Sequence, residues 1–479
     1  MSDRLRLPDP APLYVAGEWV TTERLRAVRR PGDGASLGAA CLATDEVVER
    51  ATAAASAARG PLGGLSSGER AGLLARLADA VEGAGEELAA SICDEAGKPL
   101  GLARGEVARG LSTLRLAAEE ATRIQGEVLP LDRTAAGKGR TGVVRRFPIG
   151  AVLGITPFNF PLNLALHKLA PALAAGCPIV LKGADQTPFT LLRLAALFHE
   201  LGAPPGALSV LNADVPQSER LVRDERFALL SFTGSPKVGY LLKSICGRKR
   251  VLLELGGNAA VYVDRSADLE RAAERITFGA LAYSGQVCIS VQRIYAHREI
   301  YERLRELLRA RFAAARAGDP REDATVVPLI DEGAARRVEG LIADASARGA
   351  TVLAGGPRQG AVVPATLLEQ VPEDAPVSQD EAFGPLAVLA PVDDAEQAFA
   401  RINDSRFGLQ AGVFSNDLQQ VLRAHEALEV GGVIHDDIPT FRVDEMPYGG
   451  VKQSGLGREG LRDAIREMTE PRLLVLRRS

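Results

Sequence analysis

The sequence predicts an α/β protein made of two units, each organised around a buried parallel sheet. Two observations carry that reading. From residue 151 onward, short apolar runs alternate with helical stretches, the pattern of βαβ units. At 479 residues the chain is also long for a single hydrophobic core.

The first third is read as mainly helical. Leu73, Leu77, Val81, Leu88 and Ile92 recur at roughly helical spacing until Gly97-Lys98-Pro99 stops the run. Residues 44–59 and 102–123 read as further helices. Near residue 124 the pattern changes: 126–132 and 140–147 look extended around a turn-rich Thr134–Gly139, which signals a hairpin. Strands are then expected at 151–155, 179–181, 208–211, 228–232 and 251–255, with helices at 162–174 and 191–201. A second alternating region follows Gly257: strand 259–263, helix 267–282, strand 291–296, then helices 299–316 and 333–348.

Composition narrows the function classes. Hydrophobic residues at 46% and charged residues at 25% suit a globular enzyme. A net charge of −4 gives no reason to expect a nucleic-acid or membrane-surface partner. Five scattered cysteines without CxxC or Cys/His spacing predict no metal site and a reduced, cytoplasmic setting. Met1 to Pro12 has no apolar core of signal-peptide length. The apolar stretch from Ile149 to Leu181 is too often broken by Pro, Asn, His and Lys to span a membrane.

Two pattern matches fail for want of context. Gly455-Leu456-Gly457-Arg458-Glu459-Gly460 fits G-x-G-x-x-G, but too little chain follows to complete a dinucleotide unit, and a glycine-rich turn entering a helix explains it better. Gly34-Ala35-Ser36-Leu37-Gly38 fits a nucleophile elbow without the preceding sheet that an elbow needs.

The remaining motifs sit at strand ends, where open α/β sheets bind ligands. Asn159, in Pro157-Phe158-Asn159-Phe160-Pro161, reads either as a helix cap or as an amide donor to a developing oxyanion. Asn159, Asn163 and His167 follow one another at helical spacing. Lys182 and Asp185 follow the next strand and fit either a surface ion pair or a ribose or phosphate site. Phe232-Thr233-Gly234-Ser235 opens a helix whose N–H groups, toward Gly239, could face a pyrophosphate. Glu254-Leu255-Gly256-Gly257 ends another strand, its glycines permitting close approach. Cys288 lies 34 positions after Glu254 in a polar, turn-like setting, unlike Cys93 and Cys177, which fit a buried structural role. A thiol and a separate carboxylate suit covalent capture of a carbonyl followed by hydrolysis of an acyl-enzyme.

Taken together, these segments resemble the aldehyde dehydrogenase superfamily, nearly end to end. They are joined by Glu95-Ala96-Gly97-Lys98-Pro99, Glu381-Ala382-Phe383-Gly384-Pro385 and the run from Pro447-Tyr448-Gly449-Gly450 to Gly455. The resemblance implies a Rossmann-like cofactor domain (1–123 and 147–255), an α/β catalytic domain (256–446), and a β oligomerisation arm with the C-terminal segment (124–146 and 447–479). It implies a homodimer or homotetramer whose arm pairs across subunits. Cys288 would be the nucleophile, Asn159 the oxyanion donor, Glu254 the base that activates water, and Lys168 an electrostatic aid. The cofactor, NAD with NADP possible, would lie along Ile155, Thr156, Pro157 and Phe158, beside Phe232, Val238, Leu255 and Gly256. Lys182 and Glu381 would hold its riboses, Gly234, Ser235 and Gly239 its pyrophosphate, and Phe383 would flank the nicotinamide. Asp185, where the family often has Glu, should favour NAD by repelling a 2′-phosphate.

For the substrate, Asn163 and His167 suggest a polar tunnel and a small polar or hydroxylated aldehyde. Arg442 is expected either to pair with an anionic group or to bridge to Asp436, Asp437 or Asp444. The rival readings are a CoA-acylating aldehyde dehydrogenase, which the glutamate at 254 disfavours, and a non-catalytic protein of the same fold.

Overall fold

The structure, a computed structural model, describes residues 5–322 and 324–478. Residues 1–4, 323 and 479, which fall in the segments 1–123, 256–446 and 447–479, lie outside the described residues. The alternation seen in the sequence becomes two large sheets. The first runs, edge to edge, Glu18–Val20, Leu13–Val15, Leu208–Leu211, Ile179–Lys182, Ala151–Ile155, Phe227–Thr233, Arg250–Glu254 and Gly455–Leu456. Its five central strands are parallel. From Ala151–Ile155 the chain builds outward first on one side and then on the other, so the sheet is doubly wound. A crevice therefore opens beyond the carboxyl ends of Ala151–Ile155 and Phe227–Thr233.

The second sheet has the order Thr351–Ala354, Thr366–Glu369, Leu386–Val392, Val291–His297, Ala259–Val263, Gln410–Phe414, Gly432–His435. All pairs are parallel except the one made by Thr351–Ala354. A third, smaller sheet joins the expected hairpin, Glu127–Pro130 and Arg140–Pro148, to the C-terminal strand Thr469–Arg477. This is the fold of the family the motifs resemble: a Rossmann-like domain, an α/β domain and a β arm. No helix among the described residues is long and apolar enough to cross a membrane.

Most expected elements form within a few residues of their limits, with three differences. The helical run before Gly97 is two helices, Ser67–Gly83 and Gly85–Ala96, the first opened by a Ser66/Glu69 capping box. The N-terminal region also holds four short strands that the sequence reading passed over. And the segment after residue 447 serves the first sheet as well as the arm, because Gly455–Leu456 pairs with Leu253 and Glu254.

One buried contact sets the position of helix Asn163–Ala175, which starts just after Asn159. Glu106, on helix Leu100–Ala121, accepts from the backbone N–H groups of Leu162 and Asn163 at 2.9 and 3.1 Å. The same carboxylate pairs with Lys98, and both side chains are buried. A carboxylate at a helix N-terminus meets its orphan donors and its dipole together. Glu106→Ala is expected to destabilise the protein by about 3–5 kcal/mol, because it strands the buried Lys98 charge and two N–H groups. A guanidinium unfolding curve identical to that of the parent protein would contradict this.

Candidate active site

A cavity of about 780 Å³ opens beyond the strand ends, between the two large sheets. Cys288, Glu254, Asn159 and Asn163 all line it, as do Arg442, Glu381 and Phe383. Folding thus brings residues more than 200 positions apart to one space.

The turn that delivers Cys288 is conformationally costly. Tyr283, Ser284 and Gly285 follow one another with φ of +50°, +51° and +70°, a left-handed run that only glycine tolerates well. Its neighbours hold it in place. The Tyr283 hydroxyl donates to the carbonyl of Ala96, and Ser284 Oγ both donates to Val327 O and accepts from Val327 N at 2.8 Å. A Cβ on Gly285 would lie 2.0 Å from the Gly384 carbonyl oxygen, so no side chain fits there. Asn159 Nδ2 donates to the Gln286 carbonyl at 2.9 Å, tying its amide to the same turn.

Burial pushes the Cys288 thiol up to about 12, and the charges of Glu381 and Glu254 act in the same direction. Tyr448, whose hydroxyl lies 3.4 Å from Sγ, and Arg442 oppose that rise. Glu254 is likewise raised well above the usual carboxylate range, first by burial and then by the charge of Glu459. Its Oε2 is buried without a hydrogen-bond partner among the described residues. Burial would raise Glu459 too, but Lys168 and Arg442 outweigh it and hold that carboxyl at about 2. Lys168 Nζ donates to Glu459 Oε1 at 3.0 Å and to Thr233 Oγ1 at 2.7 Å, and Arg442 Nη2 reaches Glu459 Oε2 at 3.2 Å. One carboxylate thus takes both cations, and its neighbour is left to bind a proton.

Several sequence expectations are corrected here. His167 does not face the cavity. It is buried against Asp444, with Nε2 2.9 Å from Oδ1, and burial lowers its pKa. Lys168 is fully buried and bonded to Thr233 and Glu459. Arg442 does not bridge to Asp436, Asp437 or Asp444, which are paired with Arg271, Arg275 and Arg109. It pairs with Glu459 and stacks over the Tyr448 ring, 3.6 Å from the centroid. Arg109, Tyr448 and Glu459 line the cavity and were not picked out from sequence. Glu459 lies inside the rejected glycine pattern, whose first two residues form the strand Gly455–Leu456 and whose last leads into helix Leu461–Glu467.

The cofactor candidates fall into two groups. Pro157, Phe158, Gly234, Ser235, Leu255 and Gly256 line the cavity. Ile155 and Thr156 end their strand behind them, and Phe232 and Leu255 pack where Cβ atoms on Gly234 and Gly239 would be, at 2.6 and 2.5 Å. Ser235 caps helix Pro236–Ile245, accepting from Val238 N. A Cβ on Gly256 would lie 2.5 Å from Glu381 Oε2, so backbone and carboxylate share a shelf only glycine permits. Phe383, at φ +44°, sits edge to face with Phe158 at 6.1 Å. The second group, Lys182 and Asp185, ends the next strand outside that cavity, 3.0 Å apart. Asp185 is also held by Arg26, so its charge is offset on two sides. A helix N-terminus, glycine-lined strand ends and a lysine farther along the edge fit an extended dinucleotide.

The aldehyde dehydrogenase family model matches residues 19–474. The chain is 42% identical over 466 residues to 3-sulfolactaldehyde dehydrogenase of Priestia aryabhattai, covering 97% of each. It is 39% identical over 409 residues to sulfoacetaldehyde dehydrogenase of Neptuniibacter caesariensis, covering 85% of this chain and 90% of the relative. The crystal structure of aldehyde dehydrogenase 21 from Physcomitrella patens, in complex with the reaction product succinate, superposes with a TM-score of 0.96 at 39% identity, covering 98% and 99% of the two chains. The chain belongs to the aldehyde dehydrogenase family and, with NAD or NADP as cofactor, oxidises an aldehyde to a carboxylic acid through a catalytic cysteine.

Proposed function

We propose that the substrate is a small aldehyde carrying an acid group, a carboxylate or sulfonate, at its far end. The observation that carries this is a pair of guanidinium groups, Arg109 and Arg442, lining the same cavity as the thiol, each with a buried Nε–H that lacks a partner among the described residues. A guanidinium fork suits planar and tetrahedral oxyanions alike. Three cations, Lys168, Arg442 and Arg109, face two carboxylates held ionised, Glu459 and Asp444, while Glu254 is pushed toward its neutral form. That balance favours an anion. The names of the two sulfonated-aldehyde relatives, and the succinate bound in the solved neighbour, agree with it.

In this reading Cys288 adds to the aldehyde carbon, and the Asn159 amide and the Cys288 N–H face the oxygen as it becomes negative. When bound, NAD or NADP accepts the hydride. Ser235, Gly234 and Gly256 would border its phosphates and inner ring, with Lys182 and Glu381 at its riboses. Glu254, with its free oxygen, then takes the proton of the water that hydrolyses the Cys288 thioester. Because Asp185 is offset by Lys182 and Arg26, its preference for NAD over NADP is modest. We assign residues 1–123 and 147–255 to cofactor binding and 256–446 to catalysis. The apolar Leu473, Leu474, Val475 and Leu476, all exposed on an edge strand of the arm, would be covered in a homodimer or homotetramer.

Four outcomes test this. Loss of a charged hydrogen bond is worth ~1.5–3 kcal/mol, so Arg109→Met should raise KM for a sulfonated or carboxylated aldehyde by roughly 10–100-fold. It should leave a small neutral aldehyde nearly unaffected; equal loss on both, or a preference of the parent enzyme for long aliphatic aldehydes, sinks the reading. A base must be deprotonated, so thioester hydrolysis should fail as pH falls through the raised pKa of Glu254, above the usual carboxylate range. In stopped-flow turnover Glu254→Gln should retain the nicotinamide absorbance burst and stall afterwards. For the assembly, sedimentation of a Leu474→Lys variant should show smaller particles than the parent chain; a monomeric parent would contradict the arm's role.

A further inference from the structure

We propose that Tyr448 is a further catalytic residue, its phenolic O–H donating to the sulfur of Cys288 so that a thiolate can form in a buried site. The proposal rests on Cys288 being the nucleophile. The phenol oxygen lies 3.4 Å from Sγ, within hydrogen-bonding distance for sulfur, and both groups line the cavity. Tyr448 is only 2% exposed, and among the described residues its hydroxyl has no other hydrogen-bond partner. A buried phenol needs a partner, and here the sulfur is that partner.

The ring's other neighbour strengthens the donor. Arg442 lies over the ring face, 3.6 Å from the centroid, and a cation there withdraws electron density from the phenol. The guanidinium is itself fixed by Glu459, so ring and hydroxyl are held in one orientation.

The groups facing the sulfur divide into two sets. Tyr448 and Arg442 favour the thiolate; Glu381 and Glu254 disfavour it, and burial disfavours it most. Tyr448 in turn faces Cys288, Arg442 and Glu254. Among the described residues Tyr448 is the one side chain within hydrogen-bonding distance of Sγ, so the phenol and not the charge alone distinguishes this thiol from the other four cysteines, all buried.

The test is alkylation of the full-length, cofactor-free protein by iodoacetamide as a function of pH, read at the Cys288 peptide by mass spectrometry. In Tyr448→Phe the midpoint should rise by about one pH unit, which is about tenfold slower alkylation at any pH below the parent's midpoint. The acid limb of the kcat/KM profile should move the same way. An unchanged midpoint overturns the proposal. Should Tyr448→Phe fail to fold, replacing the tyrosines of the parent chain with 3-fluorotyrosine, a more acidic phenol, should lower the midpoint, and no displacement there also overturns it. Full turnover by Cys288→Ala would instead remove the nucleophile assignment, which the alkylation midpoint does not test, so the two failures are distinguishable.

Discussion

Two carboxyl groups, Glu254 and Glu459, are buried close together, and one such space cannot cheaply hold both as anions. The fold resolves the conflict by pairing two buried cations with one of them. Lys168 takes one oxygen of Glu459 and Arg442 the other. Glu254 receives no such partner and stays basic. Four parts of the chain meet in this arrangement: the strand end at 254, the helix carrying 168, the loop carrying 442 and the turn at 459. Removing either cation would leave an uncompensated buried charge and erase the difference between the two acids.

The same rule repeats one layer out. Asp444 is kept ionised by His167 and Arg109, though burial opposes it, and its ion pair with Arg109 holds that guanidinium at the cavity wall. His167, read from sequence as a substrate residue, is instead the support that fixes Asp444. Of the two polar residues read on the helix after Asn159, Asn163 lines the cavity and His167 lies behind it, against Asp444.

What the sequence revealed was what depends on local pattern. Strand ends at Lys182, Thr233 and Glu254 were legible because apolar runs stop abruptly at polar or glycine residues, and doubly wound sheets expose those ends to ligand. Cys288 was legible from its polar turn and its family motif. Arg109, Tyr448 and Glu459 were not, because each acts through a partner distant in sequence: Arg109 meets Asp444 335 positions away, and Glu459 meets Lys168 291 away. Two of the N-terminal strands escaped for a different reason. Leu13–Val15 and Glu18–Val20 are three residues each, too short for a period of two to show.

Lys98 explains how Cys288 and Asn159 keep register although they belong to different units. Its ammonium lies 3.5 Å from the Phe160 ring and 4.9 Å from the Tyr283 ring. Phe160 adjoins Asn159, and Tyr283 starts the left-handed turn that carries Cys288. The hydroxyl of Tyr283 closes the loop by donating to Ala96, two residues before Lys98. Each non-glycine residue in the left-handed region costs on the order of 1–3 kcal/mol, and that cost is met only while those contacts persist. The strained turn is thus held by the unit opposite it: a cation, two rings and one carbonyl fix the turn of Cys288 against the segment of Asn159.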